Sequence, residues 1–285
     1  MNDDMHVKLG NYNLLEVVKE VDFGLYLDGG DDGEILLPSR YVPADTKPGD
    51  MLRVFIYLDM DERLIATTVE PLAQVGDFAC LRVSWVNQFG AFLDWGLMKD
   101  LFVPFREQKA KMVRGRSYIV HVHIDDESWR IVASAKVEKY LSADRPEYEH
   151  NQEVDIMVWQ ATELGFKVIV DNKFSGMLFR NEVFRTLVPG QRLRAFVKQV
   201  RPDGKIDLVL QKGGMGKVDD FSEALLAYIR NNGGSIPYSD KTDAETIYSV
   251  FGVSKKTFKR AAGELYRRRL VMINVDSIEL IPEHK

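Results

Sequence analysis

The stretch NQFGAFLDWG, residues 87–96, sets Phe89 and Phe92 around Gly90 and Ala91, and related stretches stand at FGLYLDGG (23–30) and LGFKVIVDN (164–172). Each follows a long run of alternating apolar and polar residues and precedes a short apolar run, a polar loop and two more strand-like runs. Period-two alternation marks a half-buried strand, and a fixed order of features that recurs marks an internal repeat. The middle copy reads DFACLRVSWVNQ, FGAFLDWG, DLFVPF, REQKAKMVRG, RSYIVHVHID and SWRIVASAK. The first reads NYNLLEVVKEV, FGLYLDGG, EILLPSRY, PADTKPGD, MLRVFIYLD and RLIATT; the third reads EVDIMVWQAT, LGFKVIVDN, SGMLFRNE, VFRTLVPG, QRLRAFVKQVRPDG and KIDLVLQ.

Five strands in about 60–70 residues suit a small closed barrel. The expected fold class is therefore mainly β, with three tandem five-stranded barrels at residues 1–71, 72–148 and 149–213 and a C-terminal α+β domain at 217–285. The link KGGMGKVDD is not a phosphate loop, because Gln211 stands where the Walker spacing needs Gly and Val218 where it needs Ser or Thr. From Asp220 the period becomes helical. Phe221, Ala224, Leu225, Tyr228 and Ile229 share a face, Asp220 and Glu223 form a capping box, and NNGG ends the helix. Thr242 and Glu245 cap a second helix with Ile247, Val250 and Phe251 on its apolar side. Ser254 caps a third, whose Phe258, Ala261, Ala262 and Leu265 face inward while Lys255, Lys256, Lys259 and Arg260 face mostly outward. The strands LVMINV and SIELI follow, joined at Asp276 and Ser277.

The order VxxVxxFGAFL, xLxVP and a strand ending near RIxxS resembles the S1 RNA-binding domain, an OB-fold barrel. In that family bases stack on aromatics of the second and third strands, beside an Asp and an Arg around the fourth-to-fifth-strand turn. By position the resemblance implies Phe89, Phe92, Asp125 or Asp126, and Arg130 in the second copy, and Phe23, Tyr26, Asp59 and Arg63 in the first. The third copy departs, with Leu164 and Lys167 at the aromatic places, Arg201 for Asp and Lys205 for Arg. On the third strand, where the family commonly has His, the aligned residues are Leu37, Val103 and Phe179, and only Phe179 could stack. The helix, helix, turn, basic helix, hairpin order is similar to a winged-helix domain, whose third helix would be the recognition element. Three S1-like barrels and a winged helix together resemble the conserved virulence factor B family of bacterial cytoplasmic proteins. That resemblance implies a non-enzymatic, post-transcriptional regulator that contacts single-stranded RNA.

The residues alone leave alternatives open. Strand aromatics are commonly core, and Phe89 and Phe92, three apart, would point to opposite faces unless Gly90, like Gly24 in the first copy, bends or bulges the strand. The basic helix could be a solvated face or a protein-docking face. The whole could be an interaction scaffold of the translation or RNA-decay machinery, with ribosomal or decay proteins as partners and no direct RNA contact.

The net charge of −5 is unevenly spread: residues 1–75 hold 6 Lys+Arg against 15 Asp+Glu, and residues 151–216 hold 10 against 7. A polyanion-binding face is thus allowed on the later parts and opposed on the first barrel. The start MNDDMHVKLG has no apolar leader and no segment suits a membrane span, so a cytoplasmic protein without membrane association is expected. Cys80 reads as a buried small hydrophobe. His121 and His123 share a strand side but lack further ligands, so no metal or cofactor is expected, and no motif sets catalytic groups in a defined geometry.

Overall fold

The computed structural model describes residues 7–183, 185–210 and 216–281, and the side chains of 216–220 lie outside that description. The chain divides into two compact units, Met1–Tyr140 and Leu141–Lys285. The first unit holds two barrels. Strands β1 (Tyr12–Val21), β2 (Gly24–Asp28), β3 (Glu34–Pro38), β4 (Met51–Leu58) and β5 (Leu64–Thr67) close one, and β6 (Phe78–Val86), β7 (Gly90–Asp94), β8 (Leu101–Pro104), β9 (Ser117–Ile124) and β10 (Ile131–Ser134) close the other. In the second unit β11 (Glu153–Ala161), β12 (Gly165–Val170), β13 (Phe174–Phe179), β14 (Arg192–Val200) and β15 (Ile206–Val209) form a third. All three share one neighbour order, first-second-third-fifth-fourth, with a parallel pairing of third and fifth strands. These are the three OB-fold barrels expected from the repeats.

Alternation explains the cores. Leu25, Leu27, Ile35 and Leu37 point into the first barrel, Ala91, Leu93, Leu101 and Val103 into the second, and Val168, Val170 and Leu178 into the third, all essentially without exposure. Phe55 and Tyr57 join the second barrel's apolar cluster instead, and the Phe55 ring meets Trp95 edge-on at 5.7 Å. The two barrels of the first unit therefore share buried surface.

Two glycines per barrel have structural duties. A Cβ on Gly24, Gly90 or Gly165 would stand 2.1–2.2 Å from the carbonyl oxygen of Leu37, Val103 or Leu178, so the second strand can start this close to the third only without a side chain. Gly49, Gly115 and Gly190, all at left-handed φ, donate their N–H to the carbonyls of Val17, Val83 and Val158. Beyond each of these valines the first strand carries its bulge: the register slips between Val17 and Lys19, Val83 and Trp85, and Val158 and Gln160. The sequence placed the irregularity at Gly24 and Gly90. It lies on the opposite strand, because those glycines answer a close approach and not an extra residue.

The C-terminal domain is α1 (Gly216–Asn231), β16 (Ser235–Ile236), α2 (Ala244–Phe251), α3 (Lys255–Arg267), β17 (Val271–Ile273) and β18 (Ile278–Leu280), with a sheet ordered β16-β18-β17. Phe258, Ala261, Ala262 and Leu265 of α3 pack with Phe221, Leu225 and Ile229 of α1, as a winged helix requires. Helix α1 begins at Gly216, so Asp220 is not its cap; the proposed Asp220 side-chain contact itself lies outside the described residues. Asp243, not Thr242, caps α2 by accepting from the Thr246 N–H, while the Thr242 hydroxyl serves the preceding turn by accepting from the Ser239 N–H. Val250 is turned outward, the wing turns at Val275 and Asp276, and β16 is an added strand. Cys80 is half-buried on the outer side of β6, and burial pushes its thiol pKa up.

Gly90→Ala is expected to cost about 2–3 kcal/mol in chemical denaturation, the upper part of the range for an overpacked core, because the Cβ would meet backbone. Gly49→Ala, with open space at its Cβ position, should cost only about 1 kcal/mol for the left-handed backbone.

Candidate nucleic-acid interface

The bulge at Ser84 turns the end of β6 over. Val83 is 1% exposed and Trp85 is 43% exposed, although residues two apart on a regular strand share a face. Trp85 thereby meets its cross-strand partner Phe92 on the barrel's outside, the rings parallel within 2° at 3.7 Å. Phe102 of β8 continues the layer, 4.9 Å from Phe92. Phe89 precedes the strand, in a turn where the Asn87 carboxamide oxygen accepts the N–H groups of Phe89 and Gly90, and it is 63% exposed. Neither Phe89 nor Phe92 is core: strand alternation never applied to the pair, since β7 begins at Gly90. The four rings face a cleft of about 570 Å³ whose other walls include Tyr57, Met60 and Glu62 of the first barrel and Asp100, Met98 and Arg130 of the second.

Sequence reasoning missed Trp85 and Phe102. The signal for Trp85 was present in the repeat: the equivalent residues are Lys19 and Gln160, polar residues that belong outside. On the third strands the outward positions are Leu36, Phe102 and Met177; Leu37 and Val103 are buried, with Leu178 as their counterpart. Phe179 pairs with Gly165 as Pro38 does with Gly24 and Pro104 with Gly90, one place later than the sequence alignment put it. It still lies half-exposed on the outer side, 5.5 Å from the Arg201 guanidinium.

The fourth-to-fifth-strand turns confirm the other alignment. Asp59, Asp125 and Arg201 donate their N–H to the carbonyls of Arg63, Arg130 and Lys205, which selects Asp125 over Asp126. The cations there are already paired. Arg63 bonds Asp59 at 2.8 Å and Asp61 at 2.9 Å; burial pushes the Asp59 pKa up, but hydrogen bonds from Arg63 outweigh it and hold the carboxyl below its usual range. Hydrogen bonds from Ser128, with the Arg106 charge, hold Asp125 low as well. Arg130 Nε donates to Glu62 of the first barrel at 2.6 Å, and Lys99 Nζ reaches the same carboxylate at 3.3 Å. In the third barrel Lys205 pairs with Asp203 and Arg201 with Asp207.

The other two faces differ in kind. Phe23 is exposed and meets Tyr26 edge-on at 6.3 Å, with the Lys19 ammonium 4.8 Å from the tyrosine ring. In the third barrel Leu164 is exposed and the Lys167 ammonium lies 5.4 Å from the Trp159 ring. On α3, capped by Ser254, Lys256, Lys259 and Arg260 are exposed; Lys255 is half-buried, and Lys259 lies 3.7 Å from Asp240.

His121 stacks on Tyr140 and His123 meets the same ring at a tilt, the tyrosine hydroxyl lying 3.1 Å from His123 Nε2. Among the described residues no group of three or more metal-ligating side chains gathers, and no helix is long and apolar enough to cross a membrane.

The S1 domain family matches residues 9–69, the first barrel, and the CvfB-like winged helix domain family matches residues 223–280. Conserved virulence factor B of Staphylococcus aureus is 24% identical over 284 residues, covering 95% of this chain and 94% of that protein. The chain is thus similar to conserved virulence factor B proteins over nearly its whole length. Its similarity extends to the Bacillus subtilis protein YitL, described as uncharacterized, at 29% identity over 93% of this chain and 91% of that one. A crystal structure of a multidomain protein with nucleic acid binding domains from Streptococcus pneumoniae is 26% identical, covering 96% of this chain and 98% of that one, with a TM-score of 0.44. The S1 and winged-helix domain types matched here support a nucleic-acid-binding role for this chain.

Burial, and then the neighbouring His123, hold the His121 pKa down at about 4. The unfolded imidazole titrates near ~6.5, so the folded state takes up its proton later. This contribution to stability is complete above the unfolded value and lost as pH falls toward the folded one, at about 1.4 kcal/mol per pH unit. Unfolding midpoints between pH 7.5 and 5 should fall accordingly, and less steeply in His121→Phe.

Proposed function

We propose that this chain binds single-stranded RNA and acts in the bacterial cytoplasm as a non-enzymatic post-transcriptional regulator. The observation that carries the reading is the outward-facing layer of exposed Trp85 on half-buried Phe92 and Phe102, with exposed Phe89 beside it. A folded chain ordinarily buries such rings, and every barrel core here is filled by other residues. Unpaired bases stack on aromatic faces for about 1–3 kcal/mol each, without demanding a particular sequence.

In this reading Phe89, Phe92 and Arg130 contact RNA on the second barrel, and Phe23, Tyr26 and Arg63 offer a weaker face on the acidic first. On the third barrel Phe179 offers a stacking ring, while Lys167 and Lys205 there and Lys255, Lys256, Lys259 and Arg260 on α3 supply phosphate contacts. Linked weak faces add through effective concentration, so moderate contacts per domain suffice.

Fluorescence anisotropy with a labelled single-stranded RNA over a salt series tests this. Binding at micromolar concentration or tighter that weakens steeply with salt is expected, and no binding at low salt overturns the reading in favour of a protein scaffold. Phe89→Ala should weaken binding about tenfold with an unchanged melting temperature. Lys256→Glu should also weaken it and flatten the salt dependence.

A further inference from the structure

The cleft beside the aromatic layer contains one carboxylate with an unusual placement. Asp100, just before β8, is half-buried; its Oδ2 accepts from the Trp85 indole Nε1 at 2.9 Å and its Oδ1 from the Ser84 hydroxyl at 3.3 Å. The indole bond fixes the carboxylate at the rim of the ring system, because an N–H points outward in the plane of its own ring. A base lying parallel on the exposed side of Trp85 would bring its hydrogen-bonding edge to that rim. A carboxylate oxygen has two acceptor directions, and each oxygen of Asp100 has used one on the protein.

The cations of the cleft leave the discrimination to this group. Arg130 and Lys99 are both held by Glu62, and Lys99 Nζ also donates to the Asp59 carbonyl at 2.7 Å. Glu62 is held there by a left-handed backbone, φ 64°, in the turn between β4 and β5. With two cations and the carboxylates of Glu62 and Asp100, the cleft is close to neutral and is a poor pocket for a phosphate. A base is the better occupant, with its phosphates outside.

Resting on the RNA-binding reading above, we propose that Asp100 reads the edge of the base in this cleft and selects cytosine and adenine over uracil. Cytosine and adenine present an exocyclic amine, a donor that an ionised carboxylate accepts, as Asp and Glu accept from the cytosine N4 amine in duplex DNA. Uracil presents a carbonyl oxygen at the corresponding place, and two acceptors facing each other repel. The selectivity belongs to the base edge, so it is independent of salt even though overall affinity is not.

The test uses the full chain with labelled tetranucleotides rC4 and rU4, which differ only along the base edge, at pH 7.5 and two salt concentrations. The expected result is about tenfold tighter binding of rC4, with the same ratio at both salts. Asp100→Asn replaces an acceptor oxygen by a donor at unchanged volume and should bring the ratio near one. Should that variant fail to fold, wild-type protein with a tetramer of cytosine lacking its 4-amino group asks the same question, and the tenfold advantage should vanish. Binding of rU4 within twofold of rC4 overturns the assignment of Asp100 while leaving RNA binding intact. Failure of both oligomers to bind at low salt overturns both.

Discussion

A hydrogen bond from a left-handed glycine to a valine carbonyl, made once in each barrel, is the contact on which the outer faces depend. Gly49 to Val17, Gly115 to Val83 and Gly190 to Val158 span 2.7–2.9 Å. The residue after each glycine accepts the N–H of the same valine, so the loop before the fourth strand clasps the first strand on both backbone groups. The clasp takes up the valine's ladder bonds, and the strand's next residue becomes the extra one of a bulge. Everything beyond it reverses face. Without that reversal the Trp85 indole would point into a core already filled by Leu81, Val83 and Leu93.

One backbone device thus presents three different side-chain sets. The residue delivered to the cross-strand pair is Lys19 opposite Tyr26, Trp85 opposite Phe92, and Gln160 opposite Lys167. The first pair is a cation over a ring, the second a ring on a ring, the third a pair of polar chains with the lysine near a neighbouring tryptophan. The backbone pairing is the same in each case, so the change in character lies in side-chain chemistry alone. The stacking capacity is concentrated in the middle barrel.

The repeat and the barrels were legible because period-two alternation and recurring loop glycines are properties of the residues themselves. So was the winged helix, whose Ser254 cap and inward α3 residues follow from helical spacing. Trp85 was not legible from alternation, since a bulge breaks the rule that would have been used to place it. Its neighbour Phe102 was overlooked because the family pattern directed attention to a position that is buried here, at Leu37 and Val103. Phe179 was displaced by one residue because the third copy lacks the proline that marks the place in the other two. Caps shifted similarly at α2, where Thr242 and Asp243 are both capable and only the contact to the Ser239 turn separates them.

Pairing of the cations alters how charge should be weighed. Counting lysines and arginines credits Arg63, Arg130, Arg201 and Lys205 with full attraction for a phosphate, yet each already holds a carboxylate at 2.6–3.0 Å. A phosphate must compete with those partners, and exposed pairs are in general worth only about 0–1 kcal/mol. Competition is therefore feasible at the exposed pairs of Arg63, Arg130 and Lys205, whereas drawing Arg201 away would leave the buried Asp207 carboxylate uncompensated. Arg130 is distinct because its carboxylate, Glu62, comes from the other barrel of the same unit. There the acidic first barrel acts as a wall of the second barrel's cleft and lowers its phosphate affinity. In the RNA-binding reading, attraction at longer range then falls to Lys256 and Arg260 in the first half of α3, both exposed. In the RNA-binding reading stacking and charge are weighted differently in the two units: the aromatic layer sits where cations are neutralised, and the exposed cations sit on a helix whose Phe258 is core and whose exposed ring, Tyr266, stands near its far end.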